Sequence, residues 1–492
     1  MTHSFSGRIQ KNPHTVLNDE VLYPQLSYEA EYLLHHYIQI EQALLMDYQC
    51  MGLMTEEEIQ SVLSSFHSLN EDEIRKNAKE TMTDIAFCIE KKVFDQLQQP
   101  VVNWHVDRSR NDYQACAQKM FAREQLLQVI QQCISLTKLI QQRARQHVYT
   151  QMPGYTHYQS AQVISLGFYL SAFTDQLIKE INNFIDIWDQ NNLCPLGAGA
   201  MAGQELEWDR KRMAEMLGFY DAETHALVSI ASRDWTLRMA AAFSNWGVSL
   251  SRFVTDFIHW GSSSYRWLDL PDELSGISSA MPQKKNFPIL ERVRGRTAHL
   301  TSYYMDMLLG QRNTPFSNLV EVSKEAGSHV LSMFQTIHSI LALFHTFMEH
   351  VTFDEERMKK LCFEEYFGGF SLANYLTISA GVPYRKAQVI AGQYITKAIE
   401  LNQSPLKCDV SLLEQVCVTH EIHVSLDSEV ISQIFEREAN LQSKKSRGST
   451  HPSEVILMLE QQEHTLNQCE QKWLERRERL DQIDPTLRQA LK

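Results

Sequence analysis

A chain of 492 residues with 60 acidic against 46 basic side chains carries a formal charge of −14, which argues against non-specific binding to a polyanion such as nucleic acid. Its 43% hydrophobic and 22% charged residues are ordinary for a globular protein able to bury a large core, and length alone suggests roughly two to four domains. Nine scattered cysteines, an odd total without a CxxC pair, fit reduced thiols better than a disulfide or zinc framework, and neither an apolar signal core nor an uninterrupted apolar run of ~18 residues is present, so the expectation is a cytoplasmic protein with no membrane span.

Residues 1–30 carry Pro13 and Pro24 among mixed polarity and read as an irregular arm leading into a helix over 31–50. GLMTEEEIQSVLSSF then offers Thr55 as an N-cap with Glu58 three residues on, the reciprocal capping pattern that opens a helix. WHVDRSRNDYQAC, from Trp104 to Cys116, concentrates guanidinium, carboxylate and amide groups: Arg108 and Arg110 suit bidentate carboxylate binding and Asn111 an oxygen. A capped helix start laced with salt bridges is the equal alternative on composition alone. MPGYTHYQSAQ puts a Pro–Gly turn beside Thr156, His157 and Gln159, and a lone histidine there is by itself more often structural.

Two long apolar seams follow. Leu166, Leu170, Phe173, Leu177, Ile181, Phe184 and Trp188 recur at three- and four-residue spacing, as do Met239, Phe243, Trp246, Leu250, Phe253, Phe257 and Trp260. Such helices pack against one another or against other subunits, and their aromatics are core. Between them PLGAGAMAGQELEWDR supplies glycines for close turns, and ASRDW places Arg233 and Asp234. After the second seam, SGISSAMPQKKNF crowds paired serines, paired lysines and an amide into one segment that Pro282 keeps from being helical, giving helix, polar loop, helix. Removal of a carbon-bound proton beside a carboxylate needs a base and nearby positive charge. Ser278 or Ser279 could accept that proton if Lys284, Lys285 and helix-start N–H groups stabilise the alkoxide; a solvated surface loop has the same local composition. Gly368–Gly369 and Gly381–Pro383 punctuate a later region of shorter helices, and QQEHTLNQCEQKWLERRERLDQ reads as an amphipathic, highly charged helix.

SSAMPQKKN resembles the signature G-S-S-x-M-P-x-K-x-N of the fumarase/aspartase superfamily, most closely its argininosuccinate lyase branch. GLMTEEE, DRSRND, MPGYTHYQSAQ, PLGAGAMAG, SRDW, LANYL…GVPYR and SRGSTHP resemble further motifs of that branch, so similarity covers most of residues 30–455. The resemblance implies an all-α, three-domain fold with a long central helical bundle, divided here at 1–105, 106–362 and 363–455 with a charged helical extension over 456–492. It implies a homotetramer with active sites shared between subunits, a small-molecule N-succinyl substrate, and neither metal nor organic cofactor. It assigns Ser278 as the loop base, His157 charged by Glu291 as the acid, and Lys284 with Asn286 as carboxylate holders. Ser109, Arg110, Asn111, Thr156, Gln159, Arg233, Glu321 and Lys324 become substrate contacts.

The chain also departs from the family pattern. Ile277 stands for the glycine before the serine pair, and Thr83 and Ala86 replace an acid and a histidine. Glu41, Phe316 and Glu321 stand where the family reads the arginine part of its substrate, with serine, tyrosine and glutamine respectively. Glu41 and Glu321 are therefore expected to add negative charge to that pocket. The implied reaction is elimination of fumarate from an N-substituted aspartate such as argininosuccinate. The alternatives are a relative releasing a different amine or amidine, and a non-catalytic crystallin-like protein; retention of Ser278, His157, Glu291, Lys284 and Asn286 weighs against the last.

Overall fold

The computed structural model describes residues 8, 9, 11–76, 78 and 81–491. Its framework is a set of long helices: α1 (Leu34–Cys50), α2 (Arg110–Gln146), α3 (Leu166–Asn191), α4 (Asp234–Gly261), α5 (Pro288–Gln311), α6 (Val330–His350) and α7 (Pro452–Asp481). The strands among the described residues are short, the longest being a hairpin of β1 (Gln151–Thr156) and β2 (Gln159–Ser165) between α2 and α3. The fold is all-α.

The two apolar seams do what their spacing dictates. All seven seam residues of α3 are buried, and on α4 only Phe253 stays partly open, where its ring stacks on Phe173 at 4.1 Å. Phe184 meets Phe243 edge-on at 5.2 Å and Phe243 meets Phe334 at 5.8 Å, so α3, α4 and α6 share one aromatic layer. The Trp188 indole N–H donates to the Arg123 carbonyl at 3.0 Å, joining α3 to α2 without leaving a buried donor unpaired. By composition, the stretch ending in α6 is long and apolar enough to cross a membrane. Its Phe334, Ile337, Leu341 and Phe344 are instead buried in the bundle.

The charged C-terminal stretch is a bundle member. Val455, Leu459, Leu466 and Cys469 of α7 belong to the same apolar core as α2 and α3. The Trp473 indole donates to the Leu127 carbonyl at 2.9 Å, Gln462 to the Ser171 carbonyl at 3.0 Å, and Arg476 pairs with Asp189 at 2.6 Å. Its charges also tie it to the bundle, Glu470 pairing with Lys138 at 2.6 Å and Glu463 with Arg145 at 2.8 Å on α2. Residues 372–435 form a second, smaller core of their own around Leu376, Ile390, Tyr394 and Val416.

The N-terminal arm is helical from Thr15 onward, contrary to its expected irregularity. Pro24 is the second residue of the helix Tyr23–Tyr32, directly after the π-helical turn Asn18–Leu22. The predicted start at Thr55 is present as a full capping box: Thr55 N–H donates to the Glu58 carboxylate at 2.8 Å and Glu58 N–H to the Thr55 hydroxyl at 3.3 Å. Thr55→Ala is expected to cost about 1 kcal/mol, read as a lower denaturation midpoint at unchanged activity.

Candidate active site

The expected Pro–Gly turn lies elsewhere than its sequence suggests. Pro153 and Gly154 are inside β1, and the turn is made by His157 and Tyr158, with φ of 53° and 61°. Two consecutive left-handed residues are the signature of a two-residue hairpin loop with the twist strands prefer. Gly154 is glycine for proximity, because a Cβ there would stand 3.0 Å from the Ile164 side chain and 3.1 Å from the Gln162 carbonyl. The result is a projecting hairpin whose tip exposes Thr156, His157, Tyr158 and Gln159. Thr156 also borders a cavity of about 700 Å³ beneath the hairpin, floored by Phe168, Tyr169 and Trp260.

The serine-lysine segment forms a loop closed at its base by a bridge between Gly276 and Asn286, with backbone hydrogen bonds of 2.8 and 3.1 Å. The Asn286 amide also donates to the Ile277 carbonyl at 3.3 Å. Inside the loop, Met281 N–H donates to the Ser278 hydroxyl at 3.1 Å. The two lysines divide their work. Lys285 anchors the loop to Asp269 at 3.1 Å, Asp272 at 3.3 Å and the Leu270 carbonyl, so it is spent on structure. Lys284 makes no ion pair among the described residues and lines a cavity of about 1000 Å³ with Asn286, Glu291, Gln283 and Arg266. Glu291 occupies the first turn of α5, where a carboxylate is favoured by the unpaired N–H groups of the helix start.

The RSRND segment opens α2. Ser109 is its N-cap, accepting from Asn111 N–H at 3.2 Å, and the Asn111 amide donates to the Ala200 carbonyl at 2.9 Å. Asp112 is buried and accepts N–H groups from Gly197 at 2.9 Å and Gly199 at 3.0 Å, so the glycine-rich loop is cradled on the start of α2. Burial pushes its carboxyl up to about 6 against those N–H groups. Arg110 is half-exposed, pairs with Asp84 at 2.6 Å and covers the Phe87 ring. With Ser109, Glu90 and Ala86 it lines a cavity of about 340 Å³.

Two expected ligands are consumed inside the chain. Arg108 grips the buried Glu41 bidentately, one arm at 2.9 Å, so Glu41 adds no free charge to a pocket and Arg108 is closed to a substrate carboxylate. Lys324, in the π-helical turn Glu321–Glu325, pairs with the buried Glu29. Arg233 is buried too, donating to the Ile230 and Ser232 carbonyls at 2.8 Å each, and it lines none of the three cavities. These bonds hold its guanidinium at the entry to α4. Glu321 and Phe316 are exposed.

One chain therefore presents three groups: Lys284, Asn286 and Glu291 around the cavity of about 1000 Å³, with Ser278 in the loop beside it, Thr156, His157 and Gln159 on the hairpin, and Ser109, Arg110 and Asn111 at the start of α2. Among the described residues no hydrogen bond or ion pair joins His157 to Glu291. The hairpin itself went unread in the sequence, although its strands flank residues whose left-handed turn no composition rule singles out.

The sequence pattern of the family described as lyase matches residues 47–299. Argininosuccinate lyase 1 of Shouchella clausii (strain KSM-K16) is 27% identical over 484 residues, covering 97% of each chain. The argininosuccinate lyase of Exiguobacterium sp. (strain ATCC BAA-1283 / AT1b) is 31% identical over 354 residues, 71% of this chain and 76% of that protein. Among solved structures, EDDS lyase in complex with formate superposes with a TM-score of 0.84 at 22% identity over 98% of this chain and 96% of that one. Class II fumarase from Schistosoma mansoni does so with a TM-score of 0.67 at 13% identity, over 85% and 94%. These two likenesses are of fold.

Proposed function

This chain belongs to the lyase family, in the fumarase/aspartase superfamily, and from that premise we propose that it eliminates fumarate from an N-substituted aspartate, argininosuccinate being the leading substrate. The observation that carries the reading is the Ser278 hydroxyl, which accepts the Met281 N–H at 3.1 Å in a loop whose neighbouring Lys284 faces the largest cavity unpaired. A backbone donor and an ammonium together are what an alkoxide base requires. Ser278 takes a proton from the carbon beside one carboxylate, Lys284 and Asn286 hold the charge that builds there, and the C–N bond breaks as the double bond forms. His157 returns a proton to the departing nitrogen, which balances the reaction as amine or amidine plus fumarate.

The three separated groups fit a site assembled from several subunits of a homotetramer. Exposed apolar side chains such as Val248, Met305 and Leu309 on α4 and α5 supply surface for that assembly. Fumarate release from a panel of N-succinyl amines and amidines tests the activity; none from any of them would refute it. Complementation tests the shared site: Ser278→Ala and Arg110→Ala oligomers, each inactive, should regain activity when dissociated and reassembled together. Mixtures as inactive as their parents would place every site within one chain.

A second reading has its own support. The Glu41–Arg108 and Glu29–Lys324 pairs occupy side chains expected to meet the arginine part of the substrate, which favours a relative releasing a different amine or amidine. In that case one of the alternative substrates exceeds argininosuccinate in kcat/KM.

A further inference from the structure

The turn leaving α4 holds an arginine in a conformation that arginine disfavours. Arg266 has φ 51°, the left-handed region where a Cβ crowds the following carbonyl and glycine is the usual occupant. The turn is fixed from both sides. Arg266 N–H donates to the Ser262 carbonyl and Trp267 N–H to the Trp260 carbonyl, each at 2.8 Å. The Arg357 guanidinium donates to the Tyr265 carbonyl and, at 3.4 Å, to that of Ser264. A strained residue over-determined by rigid neighbours is a feature that clusters at functional sites.

The Arg266 side chain points the same way. It is exposed, lines the largest cavity beside Lys284, Asn286 and Glu291, and has no hydrogen bond or ion pair among the described residues. Two acids bordering that cavity are already engaged: Asp269 holds Lys285 at 3.1 Å, and Asp354 accepts Arg357 N–H at 2.9 Å as a helix cap. The residues on either side, Tyr265 and Trp267, hold the ring of Tyr155 at 6.2 and 6.1 Å, one position before Thr156. The turn thus ties the cavity to the hairpin.

We infer that Arg266 is a substrate-carboxylate-binding residue of this site. It is a second cation which, with Lys284, fits the cavity to the dicarboxylate fumarate and to the succinyl group that yields it. A guanidinium offers a planar fork that matches a carboxylate, and two carboxylates across a double bond call for two separate anchors. The inference rests on the fumarate reading above and names a residue that reading does not use.

Calorimetric titration of the intact protein with fumarate tests it. Arg266→Gly removes the fork and relieves the backbone, so fumarate Kd should rise at least about tenfold while the ligand-free melting temperature stays level or rises. Arg266→Lys, which keeps the charge without the fork, should bind within about threefold of wild type. Equal fumarate affinity in wild type and Arg266→Gly overturns the inference, as does a wild type that binds no fumarate at millimolar concentration. The two readings fail separately. Fumarate affinity lost in Arg266→Gly, in a protein that releases no fumarate from any N-succinyl compound, supports this inference and sinks the proposed reaction. Turnover with an unchanged KM in Arg266→Gly does the reverse.

Discussion

Replacing Ser278 with alanine is expected to lower kcat at least ~10²-fold while leaving the melting temperature where it is, because the hydroxyl is the proposed proton acceptor and its hydrogen bond, from Met281 N–H, stays within the loop. The residue sits in an exposed loop whose shape is held by other groups: the Gly276–Asn286 bridge at its base and the Lys285 ion pairs to Asp269 and Asp272. Loss of the Oγ therefore removes one hydrogen bond, from Met281 N–H, and that donor lies in an exposed loop where water replaces it. Steady-state kinetics with the best substrate of the panel, beside a thermal melt, decide the matter. Activity within a few-fold of wild type would move the base to Ser279 or beyond the loop. Lys285→Met is the informative companion, since it should loosen the loop and raise KM and lower kcat together without touching the base.

Breaking the buried pair between Arg108 and Glu41 is expected to cost the most stability of any single charge change, about 3–5 kcal/mol for Glu41→Gln. The guanidinium would stay buried with its counter-charge gone. A double replacement, Glu41→Leu with Arg108→Met, should recover most of that loss, because two matched apolar side chains avoid both desolvation costs. Denaturant midpoints of Glu41→Leu, Arg108→Met and the double variant measure it, and additive losses in the double variant would show that the two residues act separately. The pair also has a pH signature. Burial alone pushes the Glu41 carboxyl upward, but the Arg108 charge and its hydrogen bonds outweigh burial and hold it below the usual carboxylate range. A group depressed on folding contributes stability that is present above its unfolded pKa and fades as pH falls through the lower folded value. The stability difference between wild type and Glu41→Gln should therefore shrink on acidification below about pH 4.

Much of this molecule was legible as sequence. The seams on α3 and α4 declare their buried faces because burial of a helix imposes a local period of three to four residues, and every α3 seam residue is in the core. The capping box at Thr55 is legible for the same reason: its two hydrogen bonds span three residues. Lys284, Asn286 and Glu291 line one cavity and Ser109 and Arg110 another, a division that their motifs do not show.

The charge state of the pocket was not legible. Glu41 and Arg108 lie 67 residues apart, and Glu29 and Lys324 lie 295 apart, so whether such charges face a ligand or each other depends on which helices the fold brings together. The C-terminal helix shows the same limit, since its charged composition does not show that Trp473, Gln462 and Arg476 bind Leu127, Ser171 and Asp189 of the bundle. Backbone conformation behaved alike: Pro153–Gly154 looks like the turn, yet strand register puts the turn at His157–Tyr158, and the left-handed Arg266 has no mark in its residue type. Amino-acid sequence by itself determined the long seam-bearing helices and their buried faces, because those follow from spacing along one chain. Tertiary structure alone decided which charges are spent internally and which side chains stay free, because pairing energy depends on distance in space and not on separation in sequence.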